Sequence, residues 1–344
     1  MRIDTSKLKK IVSVLNPCIA KENTVPILQC FHFQNTYATA YNLEVGCIYN
    51  HGIISENEFD YCIPFGKFKA FVTNNTNEFI DFEVSNDILA IRSGRSYAKI
   101  PLENPEDFPQ FDRFLEQKNP DNLFNINQDF INGLKLCNNF VSLKISNFAL
   151  HGVFINGKKI YATDMMRIAE YTHEFDYDIN LIIPFELIKV ISDCDKLCLL
   201  DNQIAFLGEN IIYFSGLIEG DYPNCVKVLG ENTKDLKKLI KLPKDDLRKG
   251  LKKLGNFSEE MQGNATCEIQ FGKEITIKYE GQIAKIEEIF SFGSALPEKS
   301  INLNPYLLDR ILVDCDSFAF TDRVLYGISK DKKFRCILSL KAKN

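Results

Sequence analysis

The chain has 344 residues, 45% apolar and 25% charged, the ordinary balance of a globular protein. Its 41 basic and 46 acidic side chains leave a net charge of −5, which excludes a globally basic nucleic-acid protein but permits a local basic surface. The 11 cysteines are odd in number and scattered, with no C-x-x-C pair, so they read as small buried hydrophobes rather than a disulfide or zinc framework. The start, MRIDTSKLKK, has no apolar signal core, and no apolar run reaches the length of a membrane span, so a cytoplasmic place is expected.

In chain order, Thr5-Ser6 followed by Leu8, Ile11, Val12 and Leu15 predicts a capped helix with one apolar face and with Lys7 and Lys10 off it. FHFQN and YATAYNLEVGCIYN read as sheet. A second helix begins at Pro64, with Phe65, Phe68, Phe71 and Val72 inward and Lys67 and Lys69 pointing elsewhere. Strands FIDFEVSN and ILAIRSGRSYAKIPL follow, broken at Asn86-Asp87 and Ser93-Gly94. After the polar connector EQKNPDN comes a helix with Phe130, Leu134 and Cys137 inward and Lys135 outward; Lys144 lies in the next loop. A hairpin is expected at Asn156-Gly157, and a strand end, a proline and a short amphipathic helix bearing Lys189 over IIPFELIKVISDC. From Lys234 the chain is densely basic. Leu247, Leu251 and Leu254 form a helical seam, with Lys244, Arg248, Lys249 and Lys252 on the far side, an arrangement that a merely solvated face would also explain. Strands over CEIQFG, EITIKYE and AKIEEIFSFG, a third proline helix bearing Arg310, and a hairpin turning at Ser329–Lys332 complete the chain.

The three proline helices repeat: Pro64, Pro184 and Pro305 are 120 and 121 residues apart. YATD at Tyr161 echoes YATA at Tyr37, 124 residues earlier. A period this regular predicts an α+β protein of three tandem domains, 1–117, 118–231 and 232–344, each with two helices packed on antiparallel sheets.

Arg92-Ser93-Gly94-Arg95-Ser96 followed by Asp107-Phe108-Pro109 resembles the β sliding clamp of bacterial DNA polymerase III, which carries an R-S-G-R-S hairpin and then D-F-P at the end of its first domain. Ala162-Thr163-Asp164-Met165-Met166-Arg167-Ile168-Ala169 is similar to the family's A-T-D-G-H-R-L-A, with methionines where the family has Gly and His. GLIEGDYPNCVKVL resembles G-R-F-P-D-Y-R-R-V-L, and Ile337-Leu338-Ser339-Leu340-Lys341 stands where the family ends V-M-P-M-R-L. These departures suit a viral, plasmid-borne or otherwise atypical clamp.

The resemblance implies a ring of two chains joined head to tail, which holds duplex DNA without reading its sequence and tethers DNA polymerase and clamp-loader subunits through short linear motifs. It needs no cofactor and no catalysis. The lining residues it implies are Lys7, Lys10, Lys67, Lys69, Lys135 and Lys144, with Lys189, Arg248, Lys249, Lys252 and Arg310. The peptide pocket, between the second and third domains, would use Leu150, Thr163, Met165, Arg167, Ile168 and Pro223, with Lys227, Val228, Val324, Leu338 and Leu340. The ring interface would join the edge strand at Tyr97, Ala98 and Ile100 to the third domain around Phe257. Two other classes stay open: a clamp-like peptide-binding protein that does not encircle DNA, and a metal-dependent enzyme using the Asp193/Asp195 or Asp314/Asp316 pairs. No metalloprotease, P-loop, nucleophile-elbow or dinucleotide motif supports the enzyme.

Overall fold

The computed structural model describes residues 1–21, 25–34, 36–54, 59–115, 122–144, 146–236, 238–257, 265–280, 285–291 and 296–342, without the side chains of 112 and 255–257. The connector after 115 lies largely outside them. The fold is α+β, with antiparallel strand pairing. It forms two compact units, one of Met1–Ile131 with Glu186–Leu217, the other of Asn132–Phe185 with Ile218–Asn344.

In the first unit β1 (Arg2–Asp4) leads into α1 (Thr5–Leu15). Asp4, rather than Thr5 or Ser6, is the cap: extended at its own backbone, it accepts the Ser6 N–H at 2.7 Å. Leu8, Ile11, Val12 and Leu15 are buried as the spacing predicts. The strands β2 (Cys30–Gln34), β3 (Tyr37–Tyr41), β4 (Gly46–Asn50) and β5 (Asp60–Pro64) precede α2 (Phe65–Thr73), in which Phe71 is only half-buried. Pro64 therefore ends a strand instead of opening the helix. It pairs with Cys30 from the outer strand of its sheet, where a missing N–H costs nothing. β6 (Phe79–Ser85), β7 (Ile88–Ser93) and β8 (Ser96–Pro101) form a sheet in the order β1-β6-β7-β8, with β8 at the edge. Asn86 and Asp87 both have positive φ, as a two-residue hairpin turn requires.

Then come β9 (Leu123–Asn125) and α3 (Gln128–Asn138), which straddles the two units. The second unit takes β10 (Gly152–Asn156), β11 (Lys159–Thr163), β12 (Arg167–Thr172) and β13 (Asn180–Pro184). Pro184 repeats the arrangement of Pro64, as an outer strand's last residue opposite Gly152. After α4 (Phe185–Val190) the chain returns to the first unit as β14 (Cys194–Leu200), β15 (Gln203–Gly208) and β16 (Ile211–Gly216). These join an eight-stranded sheet ordered β5-β2-β3-β4-β16-β15-β14-β9. At the β4–β16 seam Gly46 faces the Phe214 ring so closely that a Cβ would sit 2.2 Å from it. The D-F-P segment closes over this sheet: Phe108 is buried, and Phe111 and Phe114 lie against Phe214 at 4.4 and 4.7 Å.

The rest of the second unit is α5 (Cys225–Thr233), α6 (Lys244–Phe257), β17 (Cys267–Phe271), β18 (Glu274–Glu280), β19 (Lys285–Ser291), β20 (Lys299–Leu303), α7 (Pro305–Asp314), β21 (Ser317–Phe320), β22 (Val324–Ile328) and β23 (Phe334–Ser339). Here the proline does open its helix, with Asn304 as the cap. One sheet is ordered β19-β18-β17-β20, the other β13-β10-β11-β12-β23-β22-β21. Successive thirds of the chain are thus sewn together by strand pairing twice, β4 to β16 and β12 to β23.

His51, buried in the first unit, stacks on Phe33 at 4.4 Å, and its Nδ1 accepts the Ile53 N–H at 3.0 Å. Burial, against a contact with the Tyr37 backbone and with some help from the Lys7 charge, drops its pKa from 6.5 to about 4. A depressed histidine contributes stability that is present above the unfolded value of 6.5 and lost as pH falls from there toward about 4. The stability gap between wild type and His51→Phe, read from urea melts, is therefore expected to shift against the wild type by about 2 kcal/mol between roughly pH 7.5 and pH 5. A gap that stays constant with pH would refute this.

Candidate functional site

The sequence-predicted pocket residues gather in the second unit, around a cleft of about 450 Å³. Its walls are the turn from Met165 to Ile168, the α5 face at Val228 and Asn232, the turn at Asp322–Val324, and the end of β23 running on to Ala342. Of the residues named from the sequence, Met165, Arg167, Ile168, Val228, Val324 and Leu340 are in its lining. Leu150 and Leu338 do not: at 1% and 0% exposure they belong to the core. Thr163 is buried behind the wall, Pro223 precedes α5, and Lys227 is in its first turn; both are outside the lining. The helix α5 itself escaped the sequence reading, although Asn224, which caps it onto the Lys227 N–H at 2.9 Å, was a usable signal.

The wall from Thr163 to Arg167 is shaped by its own hydrogen bonds. Thr163 Oγ1 accepts the Met165 N–H at 3.1 Å and donates to the Arg167 carbonyl at 2.7 Å. Asp164 Oδ1 accepts the N–H groups of Met166 and Arg167 at 3.0 and 2.9 Å. The Tyr222 hydroxyl accepts the Thr163 N–H at 3.1 Å. Within this frame Met165 holds a φ of 69°, the left-handed region that favours glycine. That is the position where the resembled family has Gly, and here a 68% exposed methionine stands over the cleft instead.

Arg167 is among the residues the resemblance assigns to the pocket. It is 6% exposed and bound into the wall: Nε donates to Asp164 Oδ2 at 2.8 Å, Nη2 to the Asn139 carbonyl at 2.6 Å, and the guanidinium lies 4.5 Å from the Phe140 ring centre. Its charge is compensated before any partner arrives. The other cations lining the cleft are Arg323, which is exposed, and Lys341, whose Nζ donates to Thr266 Oγ1 at 2.6 Å; neither is among the pocket residues expected from the sequence. Ser339, where the family pattern has proline, donates its N–H to the Met166 carbonyl at 2.8 Å, a bond proline could not make.

Several of the other predicted cations sit on two helix pairs, α1 with α2 in the first unit and α6 with α7 in the second. In the first unit Lys9 Nζ donates to the Asn75 carbonyl at 2.8 Å and Lys69 Nζ to Asn16 Oδ1 at 2.7 Å, ties that run antiparallel between α1 and α2. Lys7, Lys10 and Lys67 are exposed on the same helices. In the second unit Arg248 Nε donates to Asp309 Oδ1 at 2.9 Å, and Lys244 Nζ to the Cys315 carbonyl at 2.8 Å, so α6 and α7 are cross-tied in the same sense. Arg248 is therefore partly a structural group. Lys249 and Lys252 are exposed, the former 3.7 Å from Asp246. Lys135 and Lys144 are also exposed, Lys189 pairs with Glu186 at 2.7 Å, and Arg310 donates to Asn139 Oδ1 at 3.1 Å.

On the edge strand β8, Tyr97 is 48% exposed and Ala98 half-buried, whereas Ile100 faces the core at 2% and offers nothing to an interface. Phe257 ends α6, and its side chain is outside the described residues. Among the described residues no group of three or more His, Cys, Asp or Glu could hold a metal ion. Asp316 is occupied by Lys244 and by the Lys330 N–H. No helix among the described residues is long and apolar enough to cross a membrane.

This architecture is that of the β subunits of bacterial DNA polymerase III, the β sliding clamps. The Streptococcus pyogenes β subunit matches with a TM-score of 0.84 and 17% identity over 99% of both chains. The Bacillus subtilis sliding clamp matches at 0.83 and 17% over 100% of this chain and 99% of that one. The Helicobacter pylori β clamp, solved bound to a DNA ligase peptide, matches at 0.80 and 16% over 99% of both. At these identities the likeness is one of fold. Among curated proteins, the β sliding clamp of Mycoplasma capricolum is 29% identical over 165 residues, a match that spans 43% of this chain and 43% of that protein. The resemblance first read from the R-S-G-R-S and D-F-P segments is thus borne out. No family model matches the chain.

Proposed function

We propose that this chain is a DNA sliding clamp, a non-catalytic and cytoplasmic processivity factor. Three domains with bounds near 117 and 231 would form half of a ring, and two copies joined head to tail through the β8 edge would close it around duplex DNA. The exposed helix lysines would hold the phosphates, which fix position but carry no sequence information. The cleft beside Met165 and Leu340 would take short linear motifs of the polymerase and the clamp loader, burying one or two apolar anchors. The observation that carries this reading is the full-length correspondence with β clamps, one of them solved bound to a DNA ligase peptide. Exposed lysines on both helix pairs support it, Lys7, Lys10 and Lys67 on one and Lys249 and Lys252 on the other. Its test is topological. Loaded protein is expected to stay on closed circular DNA through a salt wash and to run off once the DNA is cut. Peptide binding without retention on circles would instead favour a clamp-like adaptor.

A further inference from the structure

A second cleft, of about 590 Å³, opens in the same unit and shares Asn232, Asp322 and Arg323 with the first. Those residues are a common wall, so the two clefts are neighbouring compartments of one surface. The floor of the second is apolar: Ile240, Pro297, Ala319 and Phe320. It is braced by a two-way backbone exchange, in which the Ile240 N–H donates to the Phe318 carbonyl at 2.8 Å and the Phe318 N–H to the Ile240 carbonyl at 2.9 Å. Its charge differs from that of the first. Glu231, Asp235 and Glu298 stand exposed along it, while Lys299 is neutralised by Asp322 at 2.7 Å, so three carboxylates face two cations, Lys238 and the shared Arg323. The first cleft has Arg323 and Lys341 at its mouth.

We infer that the second cleft receives the continuation of the linear peptide that fills the first, and that this continuation carries basic side chains. The inference rests on the reading of the first cleft as a peptide site. Continuity across Asn232 and Arg323 supplies the path. The apolar floor accepts the stems of lysine or arginine while their charged ends reach the carboxylates on the rim. Acidic extensions would meet those carboxylates and be disfavoured, so the compartment adds selection as well as affinity.

The probes are a fluorescent peptide Leu-Ser-Leu-Phe extended by Lys-Gly-Lys at one end or the other, and the same peptide extended by Ser-Gly-Ser. Anisotropy titrations of the full chain measure both. One of the lysine extensions is expected to bind roughly fivefold more tightly than its serine counterpart, an advantage that salt erodes. The double variant Asp235→Lys, Glu298→Lys is expected to abolish that advantage while the serine-extended peptide binds as before; both positions are exposed, so folding is not at stake. Equal affinity of lysine and serine peptides for wild type, or an advantage that survives the double variant, overturns the inference and leaves the compartment to another occupant. Failure of the serine-extended peptide to bind at all overturns the first cleft's reading too, which separates the two failures.

Discussion

Replacing Glu170 with leucine is expected to cost about 2–4 kcal/mol of stability, read as a lower urea midpoint with an unchanged slope. Glu170 is 2% exposed on β12 and lies opposite Arg335 on β23, the strand pairing that joins the middle and last thirds of the chain. Arg335 donates to both its oxygens, at 2.8 and 2.9 Å, and Lys159 donates a third bond at 2.8 Å. Burial works to raise the Glu170 pKa, but the donors outweigh it and the net shift is downward. A depressed carboxylate stabilises the fold above its unfolded value of 4.5, and that contribution disappears as pH falls through the folded value. The leucine variant should thus lose part of the wild type's acid sensitivity. Because Arg335 and Lys159 keep more than a third of their side-chain surface exposed, they can turn to water, which holds the loss below that of a fully buried broken pair. Adding Arg335→Leu is expected to recover part of it, whereas additive costs would mean the pair is not coupled. The same strands carry Ile168 and Ile337 into the cleft, so peptide affinity should fall with stability.

The second large effect is expected on DNA. Reversing Lys249 and Lys252 to glutamate should weaken retention on circular DNA and lower the slope of log K against log salt by about 2, one unit for each phosphate no longer neutralised. The melting temperature should hardly move, since both side chains are exposed and only a weak 3.7 Å pair is broken. Arg248→Glu is the contrasting case. It would set a carboxylate against Asp309 and loosen α6 from α7, so its melting temperature should drop. An unaltered salt slope in the double variant would remove these residues from the DNA-facing set.

The helices and strands were legible wherever a local period decided them. The stripes of α1 and α3 and the turn at Asn86-Asp87 depend on residues within a few positions of each other. The prolines were legible as a repeat but not in their roles. Pro64 and Pro184 end outer strands, and only the pairing to Cys30 and Gly152 reveals that. The cleft was half legible. Its segments were marked by the resemblance, but Leu338 is buried opposite Arg167, where β12 pairs with a strand about 165 residues away, a register no local pattern encodes. That Arg323 and Lys341 meet on the cleft was hidden for the same reason.

Met165 carries a last consequence. A backbone suited to glycine is held there with methionine in its place, because Thr163, Asp164 and Tyr222 dictate the loop's path through bonds to its main chain. Scaffold and selectivity are therefore inherited separately: side chains at the rim can be exchanged one at a time while the loop stays put.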